Sequence, residues 1–290
     1  MSIAECYRSN KQTLSFEVFP PKKDADISKI YEVLREVAAI GPDFISVTYG
    51  ASGKERSDKT VEIAANIERG FDIPALAHLT CIAATREEIG EILLKLRAKG
   101  IRNILALLGD PIKGGSAGSD YAYASDLIRH IRENYGDFSI GAAAYPEGHI
   151  RCEDFSEGIR HLRLKEEAGA DFFITQLFFD NEVFYRFLDI ARASGITKPI
   201  SAGIMPILSR QQIERMIFMC GVSLPSRIIK LLYRYENDDG SLRQAGIEYA
   251  AVQARDLLRN GVDGIHIYTM NQPDIARIIS SYVSARDFKQ

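Results

Sequence analysis

The chain has 290 residues, room for two average domains or one large barrel. Its 36 Lys and Arg nearly balance its 39 Asp and Glu, and 46% of residues are hydrophobic; with this ordinary globular composition, nucleic acid is a poor partner. No apolar run approaches the ~18 residues of a membrane span, and Glu5 and Arg8 stand where a signal peptide would be apolar, so a cytoplasmic protein with no membrane partner is expected. Cys6, Cys81, Cys152 and Cys220 are far apart, with no C-x-x-C, and no two of the five histidines have metal-ligand spacing. Reduced thiols and no bound metal are expected.

Read in chain order, eight short runs rich in β-branched and aromatic residues stand out, at 13–19, 43–49, 75–81, 103–108, 138–143, 171–177, 199–204 and 263–268. The first seven recur roughly every 30 residues, about the length of a strand–helix–strand unit. The segments between them have helical periodicity. Ile27, Ile30, Tyr31, Leu34, Val37 and Ala38 share one face, as do Ile89, Ile92, Leu93 and Leu96, and again Leu127, Ile128 and Ile131. Asp26 or Ser28 can cap the first of these helices, and Gly41-Pro42 ends it. Thr85 with Glu88 has the capping-box form, closed by Gly100; Ser209 with Gln212 opens a later helix that ends at Gly221. The phrases AIGPD, AKGIR, EAGAD and RNGVD share one shape, in which a helix ends, a glycine turns and a strand begins.

Strands alternating with helices imply parallel pairing. Eight units without a composition break predict a (β/α)8 TIM barrel spanning residues 1–290 as a single domain, in preference to a doubly wound open sheet. Nearly 60 residues separate the last two strands, enough for an extra helix at 225–236 before another at 242–259, with an exposed turn at 236–240.

In such a barrel chemistry gathers where strands end at their C-termini. Those ends carry Glu17, Thr48, His78 with Thr80, Leu108-Gly109-Asp110, Ala143 to Tyr145 followed by His149, Thr175-Gln176, and His266 with Tyr268. Glu17 lies among Phe16, Val18, Phe19 and two prolines; apolar surroundings favour a neutral carboxyl suited to general acid work, the alternative being a pair with Lys22 or Lys23. Asp110, between a glycine and a proline, either stabilises positive charge at the mouth or caps a loop. His78 in its apolar strand reads as a site member or as a satisfied core histidine. The glycine-rich loop 109–120 with Lys113 fits neither a P-loop nor a G-x-G-x-x-G turn, and no glycine cradle follows strands 7 and 8, which argues against a sugar-phosphate isomerase. The pairs Phe172-Phe173 and Phe178-Phe179 read as core.

The motifs SFEVFPP (15–21), SVTYGASG (46–53), AHLTC (77–81), LGDP (108–111), YASDL (123–127), AAYPEGH (143–149), AGADFFITQLFFD (168–180) and HIYTMN (266–271) resemble those of methylenetetrahydrofolate reductase, in its bacterial single-domain form. The resemblance covers essentially the whole chain in order. It implies a flavoprotein barrel of one-carbon metabolism and methionine biosynthesis. Such an enzyme reduces 5,10-methylenetetrahydrofolate to 5-methyltetrahydrofolate, using hydride passed from NADH or NADPH through FAD in a ping-pong sequence.

By the same resemblance, Glu17 is the general acid that opens the folate's five-membered ring to a 5-iminium cation. Asp110 favours that cation, and Gln176, Tyr268 and Gln272 contact the substrate. The flavin contacts fall on Thr48, His78, Leu108, Gly109, Asp110, Tyr123, Ala124, Ala143, Tyr145, His149 and Lys165. Two positions depart from the family pattern. Leu108 stands where an L-R-G-D motif has arginine, which leaves FMN or a looser hold open beside FAD; Gln272 ends a Y-T-L-N-R motif without the arginine's bidentate fork. The resemblance also implies a homo-oligomer. It leaves two alternatives: a subunit active only with a cysteine-rich electron-donating partner chain, or a flavin-free member that uses direct hydride transfer.

Overall fold

In the computed structural model eight parallel strands close into a barrel, each paired with its neighbours in sequence and the last paired with the first. The structure describes residues 1–9, 12–21, 27–49, 54–110 and 119–283. The strands are β1 (Thr13–Val18), β2 (Phe44–Val47), β3 (Ala75–Thr80), β4 (Asn103–Leu107), β5 (Ser139–Ala144), β6 (Phe172–Thr175), β7 (Ile200–Ile204) and β8 (Gly264–Tyr268). A short helix, α1 (Ile3–Ser9), precedes them. The next helices are α2 (Ile27–Ala38), α3 (Lys54–Phe71), α4 (Arg86–Ala98), α5 (Ala124–Asn134), α6 (Phe155–Glu167) and α7 (Asn181–Ala193). Three more lie between β7 and β8, namely α8 (Arg210–Cys220), α9 (Ser226–Arg234) and α10 (Asp239–Arg259), and α11 (Pro273–Tyr282) follows β8. The expected (β/α)8 architecture is therefore present, and the extra helix expected at 225–236 is α9.

Strand alternation sorts the side chains into two sets. Phe16, Val18, Ile45, Val47, Ala77, Leu79, Ile104 and Ile265 point outward into the apolar layer beneath the helices. The inward set at the base is Phe44, Leu76, Leu105 and Phe172, packed with Ile3. Helix α1, which the sequence patterning did not single out, closes this base. Its Ile3 amide donates to Asn103 Oδ1 at 2.8 Å, and Tyr7 shares a 2.7 Å hydrogen bond with Ser201.

The repeated turn phrases have a common physical reason. Gly41, Gly100, Gly169 and Gly261 all have positive φ, ending a helix tightly before the next strand. The aspartates that follow three of them bond neighbouring backbone. Asp43 accepts from Leu14 N, Asp171 from Ile140 N and Asp263 from Ile200 N, at 2.7 to 2.8 Å. Each satisfies an amide at the foot of an adjacent strand. Two of the expected caps form as well: Thr85 and Glu88 make a reciprocal capping box, and Ser209 accepts from Gln212 N before α8, which ends at left-handed Gly221. For α2, Ser28 falls inside the helix and Asp26 lies outside the described residues.

Helix α10 packs so closely on the chain after β7 that a Cβ at Gly246 would overlap the Ile207 carbonyl. Gly246→Ala should therefore lower stability by about 2 kcal/mol or more. Gly240→Ala, whose Cβ would meet only Asp238 Oδ1 at 3.5 Å, should stay within about 0.5 kcal/mol of the parent. Urea midpoints of the two variants check this; equal midpoints would contradict the packing.

Candidate active site

The mouth is built where β1 and β8 leave the barrel. Thr269 Oγ1 donates to the Glu17 carbonyl at 2.6 Å. Asn271 grips Phe19 twice, accepting from its amide at 2.9 Å and donating to its carbonyl at 2.8 Å. Met270 and Asn271 both hold φ near +55°, a region costly for residues with a Cβ. Strain in one turn thus accompanies a two-sided clamp that fixes the backbone around Glu17.

Glu17 turns inward, and its surroundings are not those of its sequence neighbours. Phe16 and Val18 face the outer layer, while Glu17 Oε2 lies 3.5 Å from His78 Nε2 and 3.5 Å from His266 Nε2. The apolar pocket expected for this carboxyl is replaced by two imidazoles, because adjacent strand residues face opposite sides. Lys22 and Lys23, the alternative partners, lie outside the described residues. Burial pushes the His78 pKa down to about 4, outweighing the attraction of Glu17, so this ring is neutral at physiological pH. Its Nε2 is buried without a hydrogen-bond partner.

Glu17, Thr48, His78, Asp110, Tyr145 and Gln176 all line one cavity of about 690 Å³, together with Leu108, Gly109, Ala143, His149 and Tyr268. Gly109 has φ +91°, and a Cβ there would press on Thr80 at 3.0 Å, so the chain can pass close to the β3 exit only as glycine. Behind the cavity wall, Lys165 donates to the Ala143 carbonyl at 2.7 Å and lies 5.3 Å from the Tyr145 ring centre. Burial lowers the Lys165 pKa to about 8 and raises that of Tyr145 to about 12. Tyr145 also meets His149 edge-on at 4.6 Å.

Four of the sequence-predicted residues lie outside the cavity lining, Lys165 among them. Tyr123 packs on His161, one helical turn from Lys165, and Ala124 begins α5. Gln272 precedes α11, and its Oε1 accepts from Arg243, which is also paired with Asp274. Residues 111–118, with Lys113, lie outside the described set.

Sequence reasoning did not assign roles to several other groups here. Ser15, Ser46 and His266 form a buried polar row beneath Glu17, with His266 Nδ1 2.8 Å from Ser15 Oγ. The G-I-H-I-Y alternation of β8, which turns His266 the same way as Tyr268, was the available signal. Met205, Met216, Met219, Met270 and Cys220 contribute to the rim. Cys152, Glu157 and His161 also come within metal-ligand reach of one another. Glu157, however, already accepts from the Glu153 amide and meets Arg160 at 3.6 Å.

Fold and site together define a parallel-barrel protein of the catalytic kind, its ionisable groups gathered at the C-terminal mouth. The family model for methylenetetrahydrofolate reductase matches residues 2–283. The chain belongs to the methylenetetrahydrofolate reductase family. It is 39% identical to methylenetetrahydrofolate reductase 1 of Schizosaccharomyces pombe, over 93% of this chain and 45% of that protein. It is 35% identical to methylenetetrahydrofolate reductase (NADH) 1 of Zea mays, over 93% and 48%. The match to the 5,10-methylenetetrahydrofolate reductase of Pectobacterium carotovorum, also 35% identical, covers 98% of this chain and 94% of the relative. The chain thus spans about half the length of the fungal and plant relatives and nearly all of this bacterial one. Among solved structures, an uncharacterised protein from Clostridium thermocellum that binds two copies of 5-methyl-5,6,7,8-tetrahydrofolic acid aligns over 96% of both chains. Its TM-score is 0.64 at 17% identity, a likeness of fold. Among the described residues no helix is long and apolar enough to cross a membrane.

The neutral His78 links stability to pH. Its folded pKa lies below the ordinary 6.5, so the unfolded chain takes the proton first. The contribution is present above about pH 6.5 and is lost as pH falls toward about 4. Going from about pH 7.5 to about pH 5 should cost roughly 1–2 kcal/mol through this group, and His78→Asn should flatten that slope. Denaturant titrations at both pH values test it; parallel losses in parent and variant would remove His78 from the linkage.

Proposed function

We propose that this chain is a flavin-dependent methylenetetrahydrofolate reductase, passing hydride from NADH or NADPH to 5,10-methylenetetrahydrofolate. The observation that carries the reading is the placement of Glu17, Asp110 and Gln176 on one cavity with His78, in a chain of this family. The NADH in the maize relative's name supports a nicotinamide donor.

The residues present fit a flavin. The cavity lies within the range of ~300–1,000 Å³ usual for small-molecule sites. It combines apolar walls with the unpartnered His78 Nε2 and the close backbone approach at Gly109. Thr48, His78, Leu108, Gly109, Asp110, Ala143, Tyr145 and His149 would hold the ring system. Lys165, which bonds the Ala143 carbonyl, and Tyr123 and Ala124 at the start of α5 lie outside that lining and would meet the more distant parts of the cofactor. When bound, the flavin supplies two-electron hydride chemistry that no side chain offers. Leu108, in place of an arginine, is the reason to identify the flavin directly as FAD or FMN.

The chain's own residues then have distinct tasks. Both imidazoles address Glu17 Oε2, which leaves Oε1 without a hydrogen bond among the described residues and available to deliver a proton to the substrate. Protonation of the ring nitrogen releases its bond to the methylene carbon and generates the 5-iminium cation. The Asp110 carboxylate at the mouth favours that positive charge. Gln176 Oε1 accepts from Leu177 N at 2.9 Å, so its amide N–H groups remain to donate to folate. Tyr268 donates its hydroxyl hydrogen to the Thr175 carbonyl at 2.7 Å and offers lone pairs to the cavity it lines. In this reading nicotinamide and folate use the one cavity in turn, nicotinamide leaving before folate enters, which is a ping-pong order.

Purified protein should show the visible absorbance of oxidised flavin, bleach with NADH or NADPH, and recover its colour with methylenetetrahydrofolate. A colourless protein that still reduces folate would assign direct hydride transfer instead. Activity only with an artificial donor would assign a missing partner chain. Glu17→Gln should keep the flavin and its bleaching by nicotinamide while folate reduction falls about 10²- to 10⁴-fold. An undiminished folate rate in that variant would take the acid role away from Glu17.

A further inference from the structure

His266 belongs to no role so far assigned, yet it is among the most tightly held groups in the barrel. Its side chain is fully buried one register step below Tyr268, opposite Ser15 of β1. Phe44 stacks on the ring at 6.2 Å and Tyr268 meets it edge-on at 5.4 Å. Ser15 Oγ lies 2.8 Å from Nδ1, the shorter of that hydroxyl's two contacts, the other being the Ile265 carbonyl at 3.3 Å. When Ser15 gives its one hydroxyl hydrogen to Nδ1, the nearer of the two acceptors, the ring proton sits on Nε2. That atom faces Ser46 Oγ at 3.4 Å and Glu17 Oε2 at 3.5 Å.

We propose that His266 is the positioning residue for Glu17: gripped by Ser15 and two aromatic rings, it presents Nε2–H to Oε2 and thereby turns Oε1, the proton-carrying oxygen, toward the substrate. Burying a carboxyl without such a partner leaves its plane free to rotate, and a small misplacement of an acid costs rate rather than binding. His78 is the weaker candidate for this task. It reaches the same oxygen at 3.5 Å, but its Nε2 has no hydrogen-bond partner and it lines the cavity, where ligand contacts compete for it. The contact between His266 and Glu17 is long for a hydrogen bond in the free protein, and catalytic contacts of this kind shorten when the ligand is bound.

The inference rests on Glu17 being the acid of the proposed reductase, and the test separates the two. Flavin content, the nicotinamide half-reaction and steady-state folate reduction are measured for the holoenzyme and for His266→Leu, His266→Gln, Ser15→Ala, Glu17→Gln and the double variant Glu17→Gln/His266→Leu. His266→Leu should lower kcat for folate about tenfold or more, leaving KM and nicotinamide bleaching within about twofold. His266→Gln, whose amide N–H can stand near Nε2, should recover most of that loss, and Ser15→Ala should fall between. In the Glu17→Gln background, His266→Leu should cost less than about twofold, because both changes remove the same interaction. An equal penalty in both backgrounds, or an equal loss in the nicotinamide half-reaction, would assign His266 a merely structural place and overturn the proposal. If His266→Leu does not fold, Ser15→Ala and His266→Gln carry the same comparison. A wild-type holoenzyme that oxidises NADH or NADPH but never reduces folate would overturn the functional reading itself, and the positioning role with it.

Discussion

A carboxyl group half-buried at the mouth of a closed barrel has little bulk water to answer it, so polar side chains must supply the rest. Much of the upper interior follows from that constraint at Glu17. The two imidazoles at 3.5 Å and the serines beneath them occupy inward positions that a purely structural barrel would fill with branched apolar residues. Below this row the interior becomes apolar at Phe44, Leu76, Leu105 and Phe172, with α1 closing the end. The barrel is dry at its base and polar at its mouth, and a neutral His78 marks the level at which burial begins to outweigh charge.

Stability and chemistry are held at opposite ends by different devices. At the base, Asp43, Asp171 and Asp263 bond amides at the feet of neighbouring strands, and Arg132 and Arg192 lock two of these aspartates in place. These contacts repeat because the same turn geometry repeats. At the mouth nothing repeats. The clamp of Thr269 and Asn271 on β1 uses two left-handed residues in succession, a cost accepted at one place to hold the backbone on either side of Glu17. Rigid base turns allow the upper loops to vary in composition, so a leucine at position 108 and a glutamine at 272 are compatible with an intact barrel.

The strands were legible to within a residue or two, since period-two runs bounded by glycine or by capping residues depend on neighbours in sequence. Helix α1 was not. It has 7 residues, and its decisive contacts are with Asn103 and Ser201, 100 and 194 residues away. Glu17, Thr48, His78, Asp110, Tyr145 and Gln176 were legible as site candidates because each sits at or just beyond a strand's C-terminal end. The surroundings of Glu17 were misread, as Phe16 and Val18 flank it in the chain but face the helices.

What the sequence by itself determined was local: the alternation of strands and helices, their caps, the glycine turns, the parallel class of sheet, and family membership through motifs kept in order. Only the tertiary structure decided which inward groups meet. His266 stands by Ser15 and Glu17 because β8 closes onto β1, bringing together residues 251 apart, as in the Ser15–His266 bond. Gln272 in turn bonds Arg243 of α10, outside the cavity lining. Local patterns are set by torsions and contacts a few residues apart, whereas cross-barrel contacts depend on the summed tilt and stagger of all eight strands, which no short stretch of sequence contains.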